Sequence, residues 1–306
     1  MKLLIALGGN ALLERGQSAD YITQHKNAKK SVQPIATAIK NGHRVVLCHG
    51  NGPQIGLLSV KESVHEYAVQ MPLDVLSAQC QGMIGYLLQQ ALQDALQSDK
   101  VATILTQVAV DKKDTQWQHP EKFIGSCLDA ADLTQLKQQY PSWSFQKDGP
   151  YWRRVIASPK PLKIIELSAI QALLRQGITP ICAGGGGIPV TDHRGRHGAE
   201  CVVDKDLTAA TLAQSLDVDK MIILTDVVAV MEHFGSEKQT PIYQTDEITL
   251  SAMHFPAGSM GPKVSAACQF VRQQKKPAAI GHSTDLMALI DGTKGTQIWP
   301  HSPKTF

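Results

Sequence analysis

The sequence predicts an α/β fold, with a mostly parallel sheet and helices on both of its faces. Three observations carry this. Short apolar runs that read as strands alternate with longer segments of helical spacing along almost the whole chain. The strand runs are apolar at nearly every position, as strands buried on both faces are. Several of them run into glycine-rich turns at their carboxyl ends, where open α/β sheets hold ligands.

Residues 2–7 are the first apolar run, stopped by Gly8-Gly9. A helix is predicted over 20–41, closed by Gly42. Residues 44–49 give a second strand that enters Gly50-Asn51-Gly52. Pro53 stands where a new helix would begin, a place that suits its fixed φ and missing N–H. Helical spacing over 73–96 predicts a long helix, and the β-branched run 101–110 predicts one strand. A helix over 166–176 closes at Gly177, and a strand over 179–183 leads into Gly184-Gly185-Gly186-Gly187. A helix over 206–216, a very apolar strand over 221–225, a helix over 265–274 and strands over 278–281 and 296–299 complete the pattern.

One stretch interrupts it. The chain has only 4 Trp, 6 Tyr and 6 Phe. Yet Trp117, Phe123, Tyr140, Trp143, Phe145, Tyr151 and Trp152 fall together. A structureless loop of that length is uncommon, so the stretch reads as a small inserted subdomain with its own aromatic cluster.

Composition excludes several classes. At 306 residues, 43% hydrophobic and 19% charged, the chain has ample material for a core and is unlike a disordered chain. A net charge of +3 with no clustered basic face argues against nucleic-acid or membrane-surface partners. No apolar run reaches the length of a membrane span. The apolar start is cut too short by Gly8-Gly9-Asn10 for a signal peptide. Cys48, Cys80, Cys127, Cys182, Cys201 and Cys268 form no C-x-x-C pair. They are expected as reduced, buried thiols of a cytoplasmic protein.

The turns are where chemistry is expected. Glycine lets backbone N–H groups approach a phosphate without a Cβ in the way, and a following helix N-terminus adds positive potential. One such turn is weak; three after separate strands point to anion binding. The P-loop pattern, G-x-G-x-x-G, G-x-S-x-G and H-E-x-x-H are all absent. His193 and His197 stand on either side of Gly195 in a polar stretch that reads as a solvated loop.

In order along the chain, Leu7-Gly8-Gly9-Asn10-Ala11, His49-Gly50-Asn51-Gly52-Pro53-Gln54, Gly184-Gly185-Gly186-Gly187-Ile188-Pro189-Val190, Val202-Val203-Asp204-Lys205-Asp206 and Gly258-Ser259-Met260-Gly261-Pro262-Lys263 resemble the carbamate kinases of the amino acid kinase superfamily. Gln81-Gly82-Met83-Ile84-Gly85-Tyr86 and Arg153-Arg154-Val155 fit as well, so the resemblance runs from residue 3 to about 275. It implies a single-domain, three-layer αβα sandwich with a mostly parallel central sheet and an inserted lid subdomain, about 112–160. An N-terminal lobe, about 1–175, would bind carbamate and the phosphoryl group; a C-terminal lobe, about 176–306, would bind the nucleotide. The implied reaction is ADP plus carbamoyl phosphate giving ATP plus carbamate, in a homodimer. Mg²⁺ would come with the nucleotide phosphates, with Asp206 helping to order it.

The same resemblance assigns roles. Lys122, Lys205, Asp206 and Lys263 would be catalytic, the lysines on the phosphates and Asp206 holding them. Gly8, Gly9 and Asn10 would line the phosphoryl path, and Gly50, Asn51 and Gly52 the carbamate end. Gly184, Gly185 and Gly186, with Gly187, would form the floor. Thr225, Asp226 and Met260, with Lys205 and Lys263, would face the nucleotide. Arg154, with Arg153, would be either an anion ligand or a brace for the subdomain. Asp204 and Asp206 also suit a helix N-terminus. Carbamate is already a deprotonated nucleophile, so no general base is expected, and catalysis would rest on positioning and charge neutralisation. A closing cover would protect carbamoyl phosphate from water. The pattern departs from the family at Lys147-Asp148-Gly149-Pro150, at Ser126 and at Asp226. The alternatives are a sister kinase for another small carboxylate, or a metabolite-binding paralogue without catalysis.

Overall fold

The computed structural model describes residues 1–9, 12–13, 17–18, 20–63, 71–192, 195–256 and 259–302. The chain runs β1 (Lys2–Leu7), α1 (Tyr21–Lys40), β2 (Arg44–His49), α2 (Gly52–Ser63), α3 (Leu73–Leu96), β3 (Val101–Thr103) and β4 (Gln107–Val110). Then come β5 (Lys122–Leu128), α4 (Ala130–Gln139), β6 (Ser144–Asp148), β7 (Tyr151–Ile156), β8 (Pro161–Ile164), α5 (Leu167–Arg175) and β9 (Thr179–Ile181). The remainder is β10 (Ile188–Asp192), β11 (Arg196–Gly198), α6 (Lys205–Ser215), β12 (Lys220–Thr225), β13 (Val230–Glu232), β14 (Thr240–Ile242), β15 (Gln244–Asp246), α7 (Glu247–Ser251), α8 (Met260–Gln274), β16 (Ala278–His282), α9 (Leu286–Asp291) and β17 (Thr296–Trp299).

Among the described residues the main sheet has the order β15-β17-β16-β12-β1-β2-β9-β3. Its neighbours are parallel except β16 and β17. Strand β1 shows why the sheet is covered twice. Leu4 and Ala6 join one apolar cluster with Ala209 of α6 and Phe270 of α8. Leu3, Ile5 and Leu7 join another with Val32 of α1 and Leu88 of α3. β2 and β12 split the same way, Val46 against Val45 and Ile223 against Ile222. A strand that is apolar at every position puts apolar side chains on both faces, so each face needs its own helical layer. The result is the expected αβα sandwich.

Register then positions the turns. Leu7 lies opposite both His49 and Leu224, and Thr225 opposite His282. The carboxyl ends of β1, β2, β12 and β16 therefore share one edge of the sheet. Gly50 packs so closely on its neighbour that a Cβ there would lie 2.8 Å from the Gly9 nitrogen.

The structure departs from the sequence reading in several places. The run 101–110 is two strands, with β3 at the edge of the main sheet and β4 in a second sheet ordered β11-β10-β4-β8. A side chain from α3 fills the break. Gln81 Oε1 accepts from Thr106 N at 2.8 Å, and its Nε2 donates to Thr106 O and Gly184 O at 3.1 and 3.0 Å. The strand expected over 179–183 stops at Ile181, and Ala183 takes φ +51°. α8 starts at Met260 rather than 265, because Pro262 falls in the first turn, where its missing N–H costs no helical bond. Cys127 is exposed on β5, unlike the other cysteines.

The aromatic stretch forms a separate antiparallel sheet, β5-β7-β6, accompanied by α4. Tyr140 and Trp143 stack at 4.1 Å between ring centres, and Phe145 follows at 6.3 Å. The small sheet meets the body at α2, where a Cβ on Gly56 would lie 2.3 Å from Gly125 Cα.

Candidate active site

Three helix N-termini converge beyond the sheet edge. α2 begins at Gly52, α6 at Lys205 and α8 at Met260. Gly52, Lys205, Ser259 and Lys263 all line one cavity of about 160 Å³. Neither α2 nor α8 has an acidic residue in its first turn, so their positive ends are left for a ligand. Gly185 and Asn51 contribute further wall. Asn51 is 3% exposed, and its Nδ2 is buried without a hydrogen-bond partner. β5 adds Lys122, Phe123 and Ile124 from the small sheet.

The charges of this cavity are paired. Asp206, buried at the start of α6, accepts from Lys205 Nζ at 2.5 Å with one oxygen and from Lys263 Nζ at 3.1 Å with the other. Asp204 is the N-cap of α6: its Oδ1 accepts from Asp206 N at 2.9 Å and Leu207 N at 3.3 Å. Its Oδ2 accepts from Lys122 Nζ at 2.9 Å, across 82 residues of sequence. Burial alone would raise the Asp204 carboxyl. The Lys122 charge and hydrogen bond, the Lys205 charge and the Leu207 N–H outweigh it and hold the group at about 2. Three ammonium groups from distant segments thus face two carboxylates around a cavity that Gly52 and Gly185 wall together with apolar residues such as Ile55, Phe123 and Val202.

His49 supports the floor. Its Nδ1 lies 3.0 Å from Gly50 O, and its ring packs under Gly184, where a Cβ would sit 2.2 Å from Nε2. Burial lowers its pKa to about 4, opposed by the Gly50 bond and aided by the Lys205 charge. The ring is therefore neutral at neutral pH, with Nδ1–H donating to Gly50.

A second cavity, about 890 Å³, adjoins the first through Ser259 and Lys263, which line both. Gly8 and Gly9 after β1, Thr225 at the end of β12 with Asp226 after it, and Met260 of α8 line it, as do Asn27 and Lys30 of α1. Phe234 and Phe255 give it apolar wall. Thr225 Oγ1 donates to Asp226 Oδ1 at 3.1 Å.

Of the residues singled out in the sequence, Lys122, Lys205, Asp206, Lys263, Asn51, Gly52 and Gly185 gather at the small cavity. Gly8, Gly9, Thr225, Asp226 and Met260 gather at the large one. Gly50, Gly184 and Gly186 lie behind the walls; a Cβ on Gly186 would be 2.2 Å from Val203 O. Asn10 and His193 fall outside the described residues. Arg154 lines neither cavity. The sequence did not single out Asp204 as the partner of Lys122, nor Ser259, Asn27 or Lys30. Ser259 sits within a quoted motif and was within reach; the α1 residues carry no local signal. Among the described residues, no group of three or more His, Cys, Asp or Glu side chains is arranged to hold a metal ion.

The family model described as the amino acid kinase family matches residues 1–282. The chain belongs to the amino acid kinase family. Within that family, it is 46% identical to the carbamate kinase of Rhizobium meliloti, over 97% of this chain and 93% of the relative. It is 42% identical to the carbamate kinase of Escherichia coli K12, over 97% and 98%. Among solved structures, the carbamate kinase of Giardia lamblia bound to AMP-PNP superposes with a TM-score of 0.90 at 33% identity, covering 98% of each chain. The match to the family model and to these relatives runs through the small β5-β7-β6 sheet as well as the main one.

Proposed function

We infer that the chain transfers a phosphoryl group between carbamoyl phosphate and ADP, giving ATP and carbamate. The observation that carries this reading is the junction of the two cavities at Ser259 and Lys263, ringed by three ammonium groups. The large cavity is of a size for a nucleotide, and the AMP-PNP in the Giardia relative supports that occupant. The small cavity suits an acceptor of a few heavy atoms, which favours carbamate over the longer acceptors of sister kinases.

Both substrates are anionic, so the barrier includes their mutual repulsion. Lys263, lining both cavities, would stay with the phosphoryl group as it moves. Lys205, which lines the small cavity, would offset charge on the phosphoryl group beside Lys263, and Lys122 would reach the group from the small sheet. Asp206 keeps Lys205 and Lys263 spaced before any substrate arrives, which avoids reorganisation during the reaction. The unpaired Asn51 Nδ2 is a ready donor for the carbamoyl oxygen. Mg²⁺ would arrive on the nucleotide phosphates and offset part of their charge; no protein carboxylates are assigned to it. The small sheet is proposed as a lid that limits hydrolysis, since it supplies Lys122, Phe123 and Ile124 to the cavity wall. Residues about 1–175 and 176–306 would act as two lobes that both wall each cavity, within a cytoplasmic homodimer, an assembly that sedimentation would test.

ATP formation from ADP, Mg²⁺ and carbamoyl phosphate, followed by a coupled assay, tests the reaction. No ATP at high protein concentration overturns it. Lys122→Ala is expected to lower kcat on the order of 100-fold while the Kd for ADP changes less than about twofold. Unchanged turnover with weakened ADP binding would reverse the assignment of Lys122.

A further inference from the structure

Arg154 is buried, 9% exposed, on the strand that pairs with the one carrying Lys122. In the β5–β7 register, Lys122 faces Ile156 and Ile124 faces Arg154. The guanidinium carbon lies over the Trp143 ring, 3.6 Å from its centre. Its Nη1 donates to Ser59 Oγ on α2 at 3.1 Å. Its Nη2 is 3.8 Å from Glu200 Oε1, and the other oxygen of Glu200 accepts from Leu73 N at the start of α3, at 2.8 Å. One side chain therefore joins the small sheet to α2, which springs from the cavity wall at Gly52, and, through Glu200, to α3.

We propose that Arg154 is a positioning residue for the phosphoryl transfer, acting as a latch that fixes Lys122 over the small cavity. It does not serve as an anion ligand. The inference rests on the proposed reaction and adds the device that makes Lys122 effective. Lys122 spans the gap from the small sheet to Asp204 on a flexible four-carbon stem. Its ammonium is placed only as well as the sheet beneath it. The backbone contact of Gly56 with Gly125 and a buried apolar cluster of Ile124 and Ile156 with Ile55, Leu73 and Leu76 hold that sheet on α2 and α3. These contacts are non-directional, and Arg154 adds the directional polar contacts that fix its orientation on α2. The role needs a planar cation with donors on separate nitrogens, because the face is used by Trp143 and the edges by Ser59 and Glu200. Lysine offers no plane and cannot serve both.

A double-mutant cycle on the full chain tests this. Arg154→Ala is expected to lower kcat by about tenfold or more, with the KM for both substrates within about twofold, because misplacement of a catalytic group acts on turnover. Arg154→Lys is expected to behave like Arg154→Ala. In a Lys122→Ala background, Arg154→Ala should cost nothing further. An additive loss in that background overturns the latch, as does a raised KM for carbamoyl phosphate with kcat unchanged, which would make Arg154 an anion ligand. If Arg154→Ala does not fold, Ser59→Ala and Glu200→Gln decide. Each loosens one partner, and Gln keeps an acceptor for Leu73 N; both should lower kcat alone, and unchanged kcat in both overturns the proposal. Amide hydrogen exchange gives a readout independent of the reaction. Loss of the latch, in whichever of these variants folds, should speed exchange in β5 and α2 while leaving β1 and β12 protected, and equal exchange overturns it. If the wild type makes no ATP, the reaction falls and exchange alone decides the latch.

Discussion

Asp204 does two jobs with two oxygens, capping α6 with one and holding Lys122 with the other. Its folded pKa of about 2 lies below the ordinary 3.8. The stabilisation linked to it is therefore fully present above about pH 4 and is lost as pH falls through about 2. The gap is worth about 2 kcal/mol. Asp204→Asn keeps a capping oxygen but no charge. Urea denaturation near pH 6 should find this variant less stable by about that amount, and the two proteins should converge near pH 2. A difference that persists at low pH would assign the loss to packing instead. The lysines and the Asp204-Lys205-Asp206 run were legible in the sequence. Which carboxylate holds which ammonium was not, because Lys122 and Asp204 meet only when a separate sheet is laid across the start of α6.

The helices and strands were the more readable level. β1, β2, β12 and α3 fall where apolar pattern and glycine placement put them, because each is specified by its own few residues and by burial on known faces. The run 101–110 failed for a physical reason. A β-branched stretch looks the same whether it is one strand or two, and the break is made by Gln81, a partner far away on α3. The second sheet, β11-β10-β4-β8, was unreadable for the same reason. α8 carries the most testable packing: Phe270 is fully buried between this helix and the main sheet. Phe270→Ala is expected to cost about 3–5 kcal/mol in chemical denaturation, since removing the ring leaves a cavity that the sheet cannot collapse to fill. A loss below about 1 kcal/mol would mean that the cluster around Phe270 repacks.

The assembled chain places two cavities end to end along the carboxyl edge of the sheet, and ligand binding should report on the whole of it. ADP at about a hundred times its Kd should stabilise the fold by about 2.7 kcal/mol, a rise in Tm of several degrees. Lys263→Ala should lose most of that rise, because Lys263 lines the large cavity; Lys122→Ala should keep it, because Lys122 lines only the small one. Equal shifts in both variants would undo the division of labour between the cavities. No shift in the wild type would remove the nucleotide from the large cavity.

The sequence by itself determined most strands of the main sheet and the long helices that cover it, the burial of that sheet on both faces and the glycine-rich turns that end several of its strands. These are encoded within short windows, by period and by residues with special backbone freedom. Tertiary structure alone decided the pairing of Lys122 with Asp204, the sharing of Asp206 by two lysines, and the placing of Arg154 over Trp143. Those contacts join segments that carry no local record of one another. They exist because strand register and helix packing bring specific atoms within about 3 Å, a distance at which charge and hydrogen bonding become selective.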